Sequence, residues 1–237
     1  MAGINLSNIQ KTYLVDDQPL HVLKGINLQL PERKITVILG RSGCGKTTLL
    51  RIVGGLEQAD SGEINFDENH KTAYVFQEPR LMPWLNVWNN VKFGLKKEEE
   101  DEKAIQNIID TVGLNGFENA YPDQLSGGMQ QRTAIARAMA YEPSFIMMDE
   151  PFAALDFFTR SQMQKELLRL QKEQGTSILF VTHSIDEALL LGYKIAIIED
   201  GKVKAEFLVE DEHKKRNLLE PEFIELKKKI LEQLDLS

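Results

Sequence analysis

A glycine-rich loop between an apolar run and a helix-prone run is the strongest constraint in this sequence. The apolar run covers residues 35–39 and the helix-prone run covers residues 48–53. The loop itself consists of Gly40, Arg41, Ser42, Gly43, Cys44, Gly45, Lys46, Thr47 and Thr48. Glycines let the backbone curl so that successive N–H groups point at one anion, and the helix that follows adds the positive end of its dipole. The pattern predicts a strand, a phosphate-binding loop and a helix in succession.

The side chains of this loop indicate which phosphate compound it binds. A lysine at the position of Lys46 meets the β- and γ-phosphates of a nucleotide as a point charge, and the Thr47 hydroxyl ligates Mg²⁺. Cys44 is interpreted as a small filler rather than a nucleophile, because the loop requires no base there. We therefore expect ATP and Mg²⁺ to bind, with the whole run from Gly40 to Thr48 in contact with the nucleotide.

Composition narrows the class of protein. A chain of 237 residues with 42% hydrophobic content can bury a sizeable core. The net charge of −8, without a concentrated basic stripe, argues against a nucleic-acid partner. A single cysteine excludes an intrachain disulfide, and no apolar run approaches the roughly 20 residues that cross a bilayer. We expect a cytoplasmic protein that reaches a membrane only through a partner.

Three apolar runs predict a parallel sheet. Residues 35–39, 145–148 and 178–181 are apolar nearly throughout, as strands covered on both faces must be. Helical stretches alternate with them, which gives crossover connections. The earlier segments, residues 4–13 and 21–30, instead alternate apolar and polar residues and predict a half-buried antiparallel sheet. The fold class is therefore α/β, with a parallel-sheet core and an N-terminal antiparallel β subdomain.

The chain is expected to form one domain over residues 1–237, with two helical regions. An inserted α-helical subdomain is predicted at about residues 78–140, where residues 104–112 carry apolar side chains on one helical face and Gly113 ends the pattern. Asp200 and Gly201 predict the turn of a late hairpin between residues 195–198 and 203–207. A helical tail is predicted over about residues 208–237, with an amphipathic helix over residues 220–234.

Two carboxylates follow the second apolar run directly. Asp149 and Glu150 would emerge at the carboxyl end of a buried strand, where open α/β sheets bind their ligands. Asp149 would hold the Mg²⁺ that Thr47 also ligates. Glu150 would face the γ-phosphate and orient or deprotonate an attacking water.

A second anion site is predicted at Ser126, Gly127 and Gly128. Ser126 suits the first position of a helix that continues through a run of small apolar residues, and the free N–H groups of its first turn can bind phosphate. One γ-phosphate can lie between this site and the phosphate loop when two chains pack head to tail. The sequence therefore predicts a homodimer in the ATP-bound state.

Together these motifs resemble the ATP-binding cassette family over roughly residues 4–210. The motifs are the phosphate loop, the segment LSGGMQQR at 125–132, the pair Asp149-Glu150, and residues 154–156 and 181–183. The resemblance implies a P-loop NTPase core of RecA-like type. It also implies that Tyr13 stacks on adenine and that Gln77 senses Mg²⁺ and water while hinging the helical subdomain. By the same resemblance Asp156 bridges to the opposite protomer, and His183 donates to the γ-phosphate and contacts Glu150, so that Glu150, His183, Gln77 and Lys46 form the catalytic set.

Residues 77–91 are similar to the corresponding stretch in ATPases of nitrate, sulfonate, taurine and bicarbonate importers. Its prolines and tryptophans suit a surface that receives a short helix from a membrane partner, with ordinary packing of Trp84 and Trp88 as the alternative. The resemblance implies an importer ATPase subunit on the cytoplasmic side of the cell membrane. Its direct partner would be an integral membrane permease, and a substrate-binding protein would act indirectly.

Two other functions use the same motifs. A cassette ATPase of DNA repair, chromosome organisation or translation would need a long coiled coil, a second cassette or a basic surface, and the sequence has none of them. A mechanical regulator of an envelope complex would carry the same catalytic residues and stays an alternative.

Overall fold

The structure is a computed structural model that describes residues 3–65, 71–209 and 216–234. The chain divides into two compact units. The first is formed by Met1–His70 with Ser177–Ser237, and the second is Lys71–Thr176.

The regular elements of the first unit are β1 (Ile4–Val15), β2 (Gln18–Leu30), β3 (Ile35–Leu39), α1 (Lys46–Val53), β4 (Ser61–Asn65), β7 (Ser177–Thr182), α6 (Ile185–Leu191), β8 (Lys194–Glu199), β9 (Lys202–Leu208) and α7 (Pro221–Gln233). Those of the second unit are β5 (Thr72–Val75), α2 (Val87–Val91), α3 (Glu102–Thr111), α4 (Gly127–Ala140), β6 (Phe145–Asp149) and α5 (Phe157–Gln174), with short 3-10 helices at Lys97–Glu99 and Pro122–Gln124.

An antiparallel sheet with strand order β2-β1-β4 opens the first unit. Strands β1 and β2 pair from Ile4 opposite Leu30 to Val15 opposite Gln18. Alternate side chains of β2, including Ile26, Leu28 and Leu30, are buried, because successive residues of a strand face opposite sides of the sheet. The predicted antiparallel sheet is confirmed.

A parallel sheet carries the predicted phosphate loop. Strand β3 lies between β7 and β8 and is parallel to both, and β9 adds an antiparallel edge. All five residues of β3 are buried, as expected for a strand covered on both faces. The hairpin from β8 to β9 turns at Asp200 and Gly201, whose φ angles of 48° and 73° are those of the two-residue turns that join antiparallel strands.

The second unit combines a parallel strand pair with helices. Strands β5 and β6 are parallel, with Val75 opposite Met148. Helix α4 packs against α2 and α3, and Arg132 on α4 donates to the carbonyls of Val112 and Gly113 at the end of α3. The predicted helix at 104–112 is confirmed, beginning two residues earlier because Asp101 accepts from the N–H groups of Lys103 and Ala104.

The C-terminal helix α7 confirms the amphipathic helix expected over residues 220–234. Phe223, Ile230 and Leu234 are buried, and Lys227 donates to Asp186 at 2.6 Å. The remainder of the predicted tail includes residues 210–215 and 235–237, which lie outside the described residues. Across the described ranges, none of the helices has the length and apolar character needed to span a membrane.

A buried asparagine fixes the segment that precedes α2. Asn90 is fully buried. Its side-chain carbonyl accepts from the N–H of Met82 at 2.8 Å, and its amide donates to the carbonyls of Met82, Leu85 and Asn86 at 2.8–3.1 Å. One side chain thus binds the backbone of residues 82, 85 and 86, and it holds the loop carrying Trp84.

We expect Asn90→Ala to lower the free energy of unfolding by about 3 kcal/mol, because several buried polar groups lose their partner. Urea denaturation followed by circular dichroism measures this change. Asn115→Ala is the matched control, since Asn115 is exposed and its amide contacts only the Asp110 carboxylate among the hydrogen bonds described for it; its effect should stay within about 0.5 kcal/mol. Equal effects of the two substitutions would contradict the role given to Asn90.

Candidate functional site

The phosphate loop lies between β3 and α1, as the sequence predicts. Lys46 begins α1 and is only 6% exposed. Its ammonium donates to the carbonyl of Gly40 at 2.8 Å and to that of Arg41 at 2.9 Å. A buried ammonium needs such partners. The loop therefore encloses the Lys46 ammonium between two of its own carbonyl oxygens.

Two glycines of the loop have no room for a side chain. A Cβ on Gly45 would lie 2.8 Å from the Leu23 side chain, and the φ of 102° disfavours any other residue. A Cβ on Gly40 would lie 2.4 Å from the carbonyl oxygen of Ile198. The loop backbone therefore packs directly against β2 and the end of β8, which fixes its course.

The other loop residues differ in exposure. Arg41, Ser42 and Gly43 are exposed, whereas Thr47 and Thr48 are half-buried in the first turn of α1. Cys44 is also half-buried. Burial raises the pKa of the Cys44 thiol, and the neighbouring Lys46 opposes part of that effect. Cys44 is therefore mostly a neutral thiol at neutral pH, in line with a filler role.

Tyr13 contacts the beginning of α1 through its hydroxyl. The hydroxyl donates to the Glu57 carboxylate at 2.5 Å and interacts with Thr48. Lys11 lies 5.5 Å from the centre of the Tyr13 ring and pairs with Glu57 and Asp60. Burial, followed by the hydrogen bond to Glu57, raises the pKa of Tyr13. The ring is thus held next to the phosphate loop, and Glu57 is a contributor that the sequence did not reveal.

His183 follows β7 at the same sheet edge as the phosphate loop. Thr182 pairs with Leu39, the residue before the loop, so His183 emerges one strand away from it. His183 is exposed and precedes Ser184, which caps α6 by accepting from the N–H of Glu187. The first unit therefore brings together Tyr13, the phosphate loop and His183.

In the second unit, Asp149 and Glu150 end β6. Asp149 is 5% exposed and Glu150 is half-buried. Glu150 has a φ of 44°, in the left-handed region that a residue with a Cβ rarely adopts. Its carbonyl accepts from the N–H of Ala153 in the turn that follows. The chain thus turns at Glu150, directly after Asp149, and both carboxylates lie at this turn.

Gln77 reaches the same edge of the second unit through β5. Val75 pairs with Met148, so Gln77 and Glu150 each follow their paired residue by two positions. Gln77 is exposed. The second unit therefore brings Gln77 close to the carboxylates at the carboxyl end of its parallel strand pair.

Ser126 begins α4 and accepts from the N–H of Met129 at 3.3 Å, which confirms the predicted helix cap. Ser126 and Gly127 are exposed. A Cβ on Gly128 would lie 3.4 Å from the Leu155 side chain, so this glycine allows the helix start to approach the turn before Asp156.

Asp156 caps α5 by accepting from the N–H groups of Phe158 and Thr159 at 3.0 and 3.1 Å. The hydrogen bond with the Thr159 side chain, followed by these backbone bonds, lowers the pKa of Asp156. The carboxylate is exposed and ionised at neutral pH. Phe157 and Phe158 beside it are also exposed and stack edge to face.

Two residues of α4 connect it to the segment that carries Gln77. Buried Gln131 donates to the carbonyl of Phe76 at 3.1 Å. Arg137 donates to the carbonyls of Pro79 and Arg80 at 3.1 and 3.0 Å, and burial lowers the pKa of its guanidinium. Neither residue was among those predicted from the sequence. For Gln131 the sequence did contain a signal, because this glutamine interrupts a stripe of small side chains at positions 131, 134 and 138.

Further along the same segment, the two tryptophans differ. Trp84 is 69% exposed, whereas Trp88 on α2 is half-buried. Trp88 therefore contributes to packing, and Trp84 presents most of its ring to solvent.

The donors predicted for Mg²⁺ are the Thr47 hydroxyl, the Gln77 amide and the Asp149 carboxylate. Hydroxyl, amide and carboxylate oxygens are the hard ligands that Mg²⁺ takes, usually in small number and with phosphate oxygens completing the shell. Within the described residues no group of three or more His, Cys, Asp or Glu side chains could hold a metal by itself. Each of the three predicted donors is thus an oxygen ligand of the kind that Mg²⁺ takes.

Comparison with known proteins identifies the family of the chain. The family described as "ABC transporter" matches residues 23–153. An uncharacterized ABC transporter ATP-binding protein of Methanocaldococcus jannaschii is 42% identical, over 96% of this chain and 90% of its own. An aliphatic sulfonates import ATP-binding protein of Bacillus cereus is 38% identical over 98% and 96% of the two chains, and one of Pseudomonas syringae pv. tomato is 48% identical over 75% of each.

Solved structures agree as well. A dimeric ATP-binding cassette, described as a post-hydrolysis state bound to ADP and Pi, has a TM-score of 0.80 and 34% sequence identity, covering 88% of this chain and 99% of its own. This likeness confirms the predicted P-loop NTPase fold. The family match covers more than half of the chain, and full-length relatives share well over 30% of its residues. The chain belongs to the ABC transporter family, and it is an ATPase cassette of that family.

Proposed function

We propose that this chain is the ATP-hydrolysing subunit of an importer for small organic anions of the sulfonate, taurine or nitrate type. The observation that carries the ATPase part is the buried Lys46 ammonium, which lies between the carbonyls of Gly40 and Arg41 in a loop between strand and helix. The importer part is supported by relatives named for aliphatic sulfonate import at 38–48% identity.

In the first unit, we propose that the Lys46 ammonium contacts the β- and γ-phosphates of the nucleotide. The N–H groups from Gly40 to Thr48 would surround these phosphates, and Tyr13 would stack on the adenine. Thr47 of this unit, and Gln77 and Asp149 of the second, are the residues that would hold Mg²⁺, and the ion would supply positive charge for the phosphate oxygens. His183 would donate to the γ-phosphate from the neighbouring strand end.

In the second unit, Glu150 would accept a proton from the attacking water. The left-handed bend at Glu150 and the burial of Asp149 separate the tasks of the two carboxylates, because one side chain is enclosed and the other is half-exposed. Gln77 would orient the same water. Since Gln131 and Arg137 bind the carbonyls of residues 76, 79 and 80, any shift of Gln77 would move α4 as well.

Two copies of the chain would complete each site. Ser126, Gly127 and Gly128 would contact the γ-phosphate bound by the opposite copy, where the exposed N–H groups of the α4 start provide the anion site. Asp156 would reach across to the partner. The dimeric state of solved cassettes at 34% identity supports this arrangement. Closure on ATP and reopening after phosphate release would convert binding energy into motion.

The motion would pass to an integral membrane permease through the loop that carries Trp84. An exposed indole on a loop held by Asn90 is a rigid aromatic anchor of the kind that dominates protein interfaces. The protein would then lie peripherally on the cytoplasmic side of the membrane, and a substrate-binding protein would act on it only through the permease.

We expect Glu150→Gln to reduce ATP hydrolysis by about 10²–10⁴-fold while ATP binding persists, because the amide cannot take the proton. The variant should accumulate as an ATP-bound dimer, which size-exclusion chromatography with ATP and a phosphate-release assay detect. Glu142→Gln is the matched control, since Glu142 is also in the left-handed region, with a φ of 48°, and is exposed. A monomeric Glu150→Gln protein that hydrolyses ATP at the normal rate would refute the role of Glu150.

Alkylation of Cys44 should be slow at neutral pH and should block nucleotide binding sterically. The reactive form is the thiolate. Because the pKa of Cys44 is raised, the thiolate stays scarce until the pH exceeds the pKa of an ordinary thiol. Rates of N-ethylmaleimide labelling at pH 7 and pH 9, compared with glutathione, test the first point. Full ATPase activity after complete labelling would contradict the second.

Trp84→Ala should lower the stimulation of ATPase activity by the permease about tenfold, as expected for loss of an aromatic anchor worth roughly 1–2 kcal/mol. Basal ATPase activity of the isolated subunit should stay unchanged. Phe117→Ala is the control, because Phe117 is another partly exposed aromatic residue of the same unit. Reconstitution with the permease measures both rates, and an equal fall in the two rates would indicate a folding defect instead.

A further inference from the structure

We propose that Arg41 is a positioning residue, which anchors the phosphate loop to the C-terminal end of α7 and thereby makes the last turn of α7 a determinant of nucleotide affinity. The proposal rests on the proposed function only in that the phosphate loop binds the nucleotide. It assigns a role to α7, which the motifs of the family leave without one.

The anchor is a single long-range hydrogen bond. The Arg41 guanidinium donates through Nη2 to the carbonyl of Leu234 at 3.1 Å, across 193 positions of sequence. The N–H of Leu234 donates back to the carbonyls of Ile230 and Leu231, so its own carbonyl belongs to the last turn of the helix. Final carbonyls of a helix lack helical donors and carry the negative end of the dipole. A guanidinium is the side chain best suited to bind them.

Helix α7 is held in place by buried side chains and by hydrogen bonds of the segment before it. The Phe223 and Ile230 side chains are buried, with exposed fractions of 3% and 0%. Before the helix begins, Arg216 donates to the carbonyls of Leu189 and Gly192, each at 2.8 Å. The helix is thus fixed by an arginine near each end and by an apolar face between them.

On the loop side, Arg41 is the residue on which the internal contacts converge. Its carbonyl accepts from the Lys46 ammonium at 2.9 Å and from the N–H of Cys44 at 3.4 Å. The backbone of Arg41 is therefore held from inside the loop and its side chain from outside. Ordering a loop residue costs conformational free energy, so a loop that is already ordered binds its ligand more tightly. Without the hydrogen bond between Arg41 and Leu234, the loop would have to be ordered when the nucleotide binds, and the Kd would rise.

A double-mutant cycle tests the proposal. The four proteins are the full chain, Arg41→Ala, a chain ended after Leu231, and the combination. The shortened chain lacks the Leu234 carbonyl, and isothermal titration with Mg²⁺ and ADP gives the Kd of each protein. We expect each single change to raise the Kd about fivefold to tenfold, the loss of one charge-assisted hydrogen bond. The combined variant should bind ADP no more weakly than either single variant, because both changes remove the same contact.

Two controls separate the anchor from general damage to α7. A chain ended after Leu236 keeps the Leu234 peptide carbonyl, and Lys229→Ala breaks the exposed pair of Lys229 with Glu225 on the same helix. Both should bind ADP within twofold of the full chain. The proposal is overturned by an unchanged Kd in Arg41→Ala, by additive effects in the cycle, or by tighter binding in the shortened chain.

A second measurement uses a protein in which α7 is complete. In Arg41→Ala, the amides of residues 231–234 should exchange with deuterium about tenfold faster than in the full wild-type chain, because the last turn has lost its external partner. Equal exchange rates would overturn the proposal even if the shortened chain fails to fold. A wild-type chain that does not bind ADP would refute the proposed function and leave the exchange rates to decide on the anchor.

Discussion

The buried ammonium of Lys46 is the interaction on which the rest of the structure depends. A buried positive charge is costly unless it has partners, and here the carbonyls of Gly40 and Arg41 provide them. Those carbonyls are in place because β3 is enclosed between β7 and β8, and because Gly40 and Gly45 let the loop pack against neighbouring strands. The parallel sheet thus holds the ammonium in place within the loop that we propose binds phosphate.

Arginine side chains bound to backbone carbonyls recur through both units. Arg132 binds the end of α3, Arg137 binds the segment after Gln77, and Arg216 binds the end of α6. Arg41 binds the end of α7 in the same way. A planar group with five donors can satisfy several carbonyls at once, which makes it an effective connector where a helix or loop ends.

Features set by local sequence could be predicted well. The phosphate loop, the Ser126 cap and the turn at Asp200 and Gly201 each depend on residue types within a few positions, and the structure contains all three. The apolar runs likewise predicted the buried strands, although strand β8 joins the parallel sheet beside β3, which the late hairpin alone did not indicate.

Contacts between a side chain and a distant carbonyl could not be predicted. Gln131 binds Phe76 across 55 positions, and Arg41 binds Leu234 across 193. Every residue has a backbone carbonyl, so the residue types do not indicate which carbonyl accepts the hydrogen bond. Glu57 was missed for a related reason, because its partner Tyr13 lies 44 positions away on another element. For the candidate site, the sequence therefore predicted the residues that we propose meet ATP but not the side chains that hold them.

The left-handed backbone of Glu150 has a consequence for how such a protein can be stabilised. A residue with a Cβ in this conformation costs on the order of 1 kcal/mol, and glycine would relieve it. A search for thermostable variants would thus favour glycine at the one position where the carboxylate is needed. The strain is retained because the proposed chemistry requires it, so tolerance to heat and turnover of ATP oppose each other at this bend.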